Sequence, residues 1–234
     1  RFYYLGPLRE HPRRTYLWSG DTPSDVGSKG EWTIPAILAA DTQKRRFQLS
    51  SEGESLTFQE LVSAWLKQLG LIHSFSLQPI AEGRKEYEVL IKTGAASHEV
   101  KITDVGFGVS QILPAIVLPF YCPPHSIVWM EQPEIHLHPQ VQAEMADVFI
   151  HAIQAQEQQK DRKVQLVIES HSEHFLNRLQ RRIAEEKIRH EDVAIYFCRK
   201  NNDGGTDLEA LEIKVFLFHV ASLKLLNFLL THFL

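Results

Sequence analysis

Three features of the chain predict an α/β fold. Apolar runs at about 126–131, 164–169 and 193–198 ("SIVWME", "VQLVIE", "VAIYFC") are nearly unbroken, as expected of strands in a parallel sheet with helices on both faces. Between the first two lies "PQVQAEMADVFIHAIQAQEQQ", with Val141, Met145, Val148, Ala152 and Ala155 on one helical face. That makes a βαβ unit, whose flanking strands should run parallel. Ahead of it, "SFSLQPI", "KEYEVLIKT" and "HEVKITDV" are short alternating or β-branched runs separated by "AEGR" and "GAAS", the pattern of an antiparallel meander.

Taken in order, "RFYYLGPL" reads as a strand, and residues 18–35, rich in Gly, Pro, Ser and Asp, read as a loop. "LTFQELVSAWLKQLGLI" sets Phe58, Leu61, Val62, Trp65, Leu66 and Leu69 at helical spacing. In "DVGFGVSQILPAIVLPF" Pro114 belongs in a first helical turn, which places the helix start near Ser110, with serine as its cap. Pro139 suits the first position of the next helix. Ser170 and Glu173 have capping-box spacing, with Phe175, Leu176, Leu179 and Ile183 on the apolar face that follows. The expected divisions are a mixed segment 1–103, a parallel-sheet lobe 104–213 and an apolar tail 214–234. The tail reads as a helix completing the core. Lys224 near its centre argues against a membrane span.

With 234 residues, 44% of them apolar, the chain can bury a real core, and a formal charge of -4 gives no global reason to bind nucleic acid. Arg1, Arg9, Arg13 and Arg14 crowd the start, a hint of DNA contact that reads equally well as residues of the folded core. Cys122 and Cys198 lie in apolar stretches without a signal-like start, which predicts reduced thiols and a cytoplasmic protein. The chain opens without Met inside an apparent strand, and the expectation is a fragment of a longer protein.

Chemistry is expected at three places. Gly106 and Gly108 lead into a helix start, whose free N–H groups suit a phosphate, although an ordinary loop-to-helix junction would look the same. Glu131 ends a buried strand in "MEQPEIHLHP" and could hold Mg²⁺ through its water shell, the alternatives being a solvated strand end or a direct metal site of Glu134, His136 and His138. His171 follows the next strand, at the same carboxyl edge as Glu131.

In this order, "YLGPLRE", "DVGFGVSQILP", "EQPEIHLHP" and "ESHSEHFLNRL" resemble bacterial AAA-family ATPases of the ABC-type superfamily, related to the RecF, SMC and OLD proteins, over roughly residues 1–213. The resemblance implies ATP and Mg²⁺ as cofactors and a homodimer built through the ATP sites. It makes Gly106, Gly108, Ser110 and Gln111 the signature loop acting on the partner's γ-phosphate, Glu131 the Walker B acid, His171 the switch histidine and "HLHP" the D-loop region. Gln132 stands where the catalytic glutamate belongs; a neutral amide orients water but cannot take its proton, which leaves Glu134 as the nearest substitute base if its loop folds back. No Gly-Lys-Ser/Thr occurs in the chain, so the phosphate-cradling loop is not among these residues. The expected function is a nucleotide-dependent dimer switch controlling an effector protein, in DNA maintenance or anti-phage defence and without membrane contact. The rivals are a non-catalytic dimerisation module and a metal-dependent hydrolase using His136, His138, His171 and His174.

Overall fold

The computed structural model describes residues 1–49, 53–201 and 203–211. The apolar tail therefore lies outside the described residues. In chain order the strands and helices are β1 (Phe2–Leu5), β2 (Tyr16–Leu17), α1 (Thr33–Thr42), β3 (Arg46–Gln48), β4 (Leu56–Thr57), α2 (Phe58–Gln68), β5 (Ser74–Pro79), β6 (Glu86–Lys92), β7 (Val100–Lys101), α3 (Phe107–Tyr121), β8 (Ile127–Glu131), α4 (Pro139–Gln154), β9 (Gln156–Glu157), β10 (Lys160–Asp161), β11 (Gln165–Glu169), α5 (Glu173–Ala184), β12 (Ile195–Lys200) and β13 (Thr206–Leu211). The chain forms two compact units, divided between Leu176 and Asn177.

In the first unit β1, β8 and β11 make a parallel sheet in the order β1-β8-β11. The βαβ reading of β8, α4 and β11 holds. Strand pairing places Tyr3, Leu5, Val128, Met130, Leu166 and Ile168 on one face, where α3 and α4 cover them. Helix cover is seen on that face. On the other, Phe2, Tyr4, Ile127, Trp129 and Val167 are 39–62% exposed among the described residues. The meander is present as β5, β6 and β7, joined by β2 on β6. A second small sheet runs β10-β9-β3-β4.

Two helices depart from expectation because they are buried nearly all round, which erases the amphipathic signal. α1 begins at Thr33, inside the stretch read as a loop, and buries every residue from Thr33 to Ala40. Its Pro35 occupies the first turn, where a missing N–H costs little. α3 begins at Phe107, not near Ser110, and runs through both Pro114 and Pro119. Each proline removes a helix hydrogen bond, but Val109 to Tyr121 are all buried, and that packing offsets the loss. Ser110 is therefore not the cap; inside the first turn its Oγ donates to the Phe107 carbonyl at 2.8 Å.

The far end of α3 is held by charge. Arg45 donates to the carbonyls of Tyr121 (2.9 Å) and Phe120 (3.2 Å), while fully buried Arg162 donates to those of Pro119 (2.7 Å) and Cys122. Glu157 lies between them, 2.6 Å from Arg45 Nε and 3.2 Å from Arg162 Nε. Four carbonyls at a buried helix end thus find donors. Phe47 packs beside this knot, against Phe58 and Phe120.

α2 carries a capping box: Thr57 Oγ1 accepts from Glu60 N and the Glu60 side chain accepts from Thr57 N. α5 is capped by Ser172 rather than Ser170, for Ser172 Oγ accepts from Phe175 N at 3.1 Å. In the second unit, the third apolar run becomes β12, which pairs antiparallel with β13 instead of forming a parallel strand. Tyr196, Phe197 and Leu208 on this ribbon are exposed.

Gly30 tests the packing around α3. It has φ +80°, and a Cβ there would come 2.3 Å from Pro114 Cγ. Gly30→Ala should destabilise the fold by more than the ~1–3 kcal/mol of a strained backbone alone. Gly70→Ala, at φ +68° in open space, should cost only the backbone part. Urea unfolding of both variants checks this, and equal losses would contradict the packing account.

Candidate functional site

Parallel strands share a carboxyl edge, so the residues that follow β8 and β11 meet there. The pairing continues one step beyond β8, where Gln132 N–H donates to the Glu169 carbonyl at 2.8 Å. Gln132 then turns at φ +43° and His136 at φ +63°, left-handed values uncommon for residues with a Cβ. Ile135 N donates to Gln132 O and Leu137 N to Glu134 O, which closes the segment into consecutive turns. The loop does fold back.

That fold-back brings Glu134 to the end of β11. It is 6% exposed, and its Oε1 accepts from both Ser170 Oγ and His171 N at 2.8 Å. Its other oxygen, Oε2, is buried without a hydrogen-bond partner among the described residues. Such an orphan acceptor is costly unless something else satisfies it. Glu134 lines a cavity of about 240 Å³ together with Gln132, Ile135, His136, Gln142, His171 and Ser172. Three of the four expected catalytic residues, Gln132, Glu134 and His171, meet at this cavity. The engagement of Ser170 with Glu134 also explains the shifted cap of α5.

Glu131 stands at the end of β8, beside the cavity rather than among its lining residues. Tyr4 Oη donates to its Oε1 at 3.0 Å, and this bond to a carboxylate raises the Tyr4 pKa above its ordinary value. Arg9, one of the clustered arginines readable either as DNA contacts or as core residues, lies at this edge. It is 8% exposed, donates from Nη2 to the Glu131 carbonyl at 3.3 Å, and leaves Nε and Nη1 unpartnered among the described residues. Burial lowers its pKa to about 10, against the opposing pull of Tyr4, Glu131 and Glu134, so it stays cationic at neutral pH. Of the other clustered arginines, Arg13 pairs with Glu10 and Arg14 lies 3.6 Å from Asp104. Both pairs lie at the surface.

The segment from Gly106 to Gln111 adjoins this loop. Gly106 is the residue before α3 and is exposed, with open space around a would-be Cβ. A Cβ at Gly108 would come 3.7 Å from Leu137 Cδ2 of the β8 loop, and Phe107 packs its ring 5.9 Å from His136 and 5.5 Å from His11. Ser110 and Gln111 are buried instead, 8% and 4% exposed. An anion would therefore meet the main-chain N–H groups at Gly106 to Gly108 rather than those two side chains.

The direct metal centre is not formed: among the described residues no three His, Cys, Asp or Glu side chains are grouped to hold a metal ion. His138 Nδ1 accepts from Gln140 N at the start of α4, His136 is turned against Phe107, and His174 lies on α5. Nor is any helix among the described residues long and apolar enough to cross a membrane.

Replacing Glu134 by Ala should loosen the junction of the two strand ends by about 1–3 kcal/mol, the cost of leaving buried donors unpaired. Amide hydrogen exchange would show it as lost protection at His171, with the β5–β6 hairpin unchanged. Unaltered His171 exchange would contradict the junction.

The AAA ATPase domain family matches residues 38–176. Among solved structures, one from work on ATP-driven dimerization and DNA-stimulated activation of SMC ATPases is 15% identical, covering 73% of this chain and 92% of that chain, with a TM-score of 0.43. A Smc head domain with an extended coiled coil, bound to the C-terminal domain of ScpA derived from Pyrococcus furiosus, is 13% identical, covering 73% and 37%, with a TM-score of 0.46. A SmcHead bound to the C-winged helix domain of ScpA is 14% identical, covering 66% and 43%, with a TM-score of 0.43. None of the curated proteins matches the chain. With a match over more than half its length, the chain belongs to the AAA ATPase domain family.

Proposed function

We propose that the chain is part of an ATP-hydrolysing dimer switch, with Glu131, Gln132, Glu134 and His171 at one face of the nucleotide and Gly106 and Gly108 of a second copy at the other. The observation that carries this reading is that Gln132, Glu134 and His171 line one cavity, with one Glu134 oxygen buried and without a hydrogen-bond partner among the described residues. The donor set fits a magnesium nucleotide: an acid at the strand edge, a second buried carboxylate oxygen, and a buried guanidinium beside them. When bound, Mg²⁺ neutralises phosphate charge and holds the transferring group in line.

The chain's own residues divide the remaining work. Tyr4 fixes one oxygen of Glu131, which keeps that acid in place to order the metal's water shell. Gln132 positions the attacking water without taking its proton, and Glu134 Oε2 is the acceptor that can. His171, whose N–H is anchored to the same carboxylate, registers the terminal phosphate. In the partner copy, the N–H groups opening α3 receive that phosphate, with Ser110 and Gln111 supporting the turn from behind. Phe107 against His136 joins the two halves of this machinery within one copy, so that a change at one site reaches the other and then an effector protein. The neutral Gln132 favours a second reading, a non-catalytic module that dimerises on nucleotide without turnover.

Turnover and ATP-dependent association of the full chain separate these. Glu134→Gln should lower turnover by about 10²–10⁴-fold, the range of a general base, while association persists. Gly106→Glu adds charge in open space, keeps the fold and should abolish association. Association of the wild type with no turnover would select the non-catalytic module, and full activity in both variants would reject the site.

A further inference from the structure

Glu134 belongs to a closed circuit of hydrogen bonds that Gln142 enters from α4. Gln142 lines the same cavity; its Nε2 donates to the Leu137 carbonyl at 2.9 Å and its Oε1 accepts from Ser172 Oγ at 2.7 Å. From Ser172 the circuit runs back to the β8 loop. Ser172 N donates to Ser170 Oγ at 3.1 Å, Ser170 Oγ donates to Glu134 Oε1 at 2.8 Å, and the Glu134 carbonyl accepts from Leu137 N at 3.2 Å. His171 lies between the two serines, with its N–H on Glu134 Oε1 and its ring exposed. The directions are consistent: Ser172 Oγ accepts from Phe175 N, which leaves its single proton for Gln142.

We infer that Gln142 is a positioning residue for Glu134 in the reaction proposed above. The inference rests on that reading of the site and adds a residue to it. Val141, Met145, Val148 and Ala152 anchor α4 in the core, so an amide projecting near its start is a fixed point to which two loops are tied. One loop carries Gln132 and Glu134, the other Ser170 and His171. An amide suits the task because it offers a donor and an acceptor together: the Leu137 carbonyl can only accept, and the Ser172 hydroxyl donates. A base must stay within hydrogen-bond reach of its water, so a small displacement of Glu134 lowers turnover without weakening nucleotide binding.

Steady-state ATP turnover of the full chain tests this in wild type, Gln142→Met, Glu134→Gln and the double variant. Methionine keeps the length of the side chain and loses both hydrogen bonds. In Gln142→Met kcat should fall about 10–100-fold, with KM for ATP within about twofold of wild type. In the Glu134→Gln background the same change should lose most of its effect, because the group it positions is gone. Losses that multiply independently in the double variant, or wild-type kcat in Gln142→Met, would overturn the inference while leaving Glu134 as the base. Amide hydrogen exchange supplies a readout free of turnover. Gln142→Met should lose protection at His171 and Ser172 with the β5–β6 hairpin unchanged, and full protection at both would also overturn the inference. Should Gln142→Met fail to fold, Gln142→Glu, which keeps the acceptor for Ser172 and loses the donor to Leu137, takes its place in the same set. Wild-type turnover in Glu134→Gln, or none in wild type, would reject the reading of the site and this role of Gln142 together.

Discussion

The in-register parallel pairing of β8 with β11 is the constraint on which the rest of the site depends. It places Glu131 against Glu169, it carries one hydrogen bond further through Gln132, and it leaves Ser170 and His171 where Glu134 can accept from both. A slip of one residue would send every side chain of β11 to the opposite face. Glu169 would then point into the covered side, where Leu166 and Ile168 now pack. The core side of the sheet therefore enforces the geometry of its polar edge.

That core side is itself held by α3, a helix with almost no polar face and two prolines. Its middle is hemmed in by Gly30 against Pro114, and its end by Arg45, Glu157 and Arg162. Burial of Arg162 lowers its pKa, yet the carbonyls and the carboxylate it meets keep the charge paired. Removing one member of such a pair is costlier than never having built it. The turn at Gly106 and Phe107 is thus the exposed tip of this buried helix, and Phe107 leaning on His136 ties that tip to the β8 loop.

Much of this was legible in the residues. Periodicity located α2, α4 and the meander, and the apolar runs located β8 and β11 with their acid and Ser-His endings. What escaped was nonlocal. α1 and α3 are buried on all sides, so no stripe marks them, and their prolines look like loop punctuation or a helix start. Ser170 has capping-box spacing, but Glu134 claims its hydroxyl from 36 positions away. Arg9 looked like one of a basic cluster, and only burial beside Glu131 gives it a place in the site. The fold-back that the Glu134 reading required rests on left-handed Gln132 and His136, conformations that neither residue type announces.

The central claim is that Glu134, rather than Gln132, faces the water that attacks the nucleotide. Its most direct test is a high-resolution structure of the full chain with magnesium and a non-hydrolysable ATP analogue. The account predicts an ordered water within about 3 Å of Glu134 Oε2, between Gln132 and the terminal phosphate. Nucleotide bound with Glu134 Oε2 still walled off from any water would contradict it.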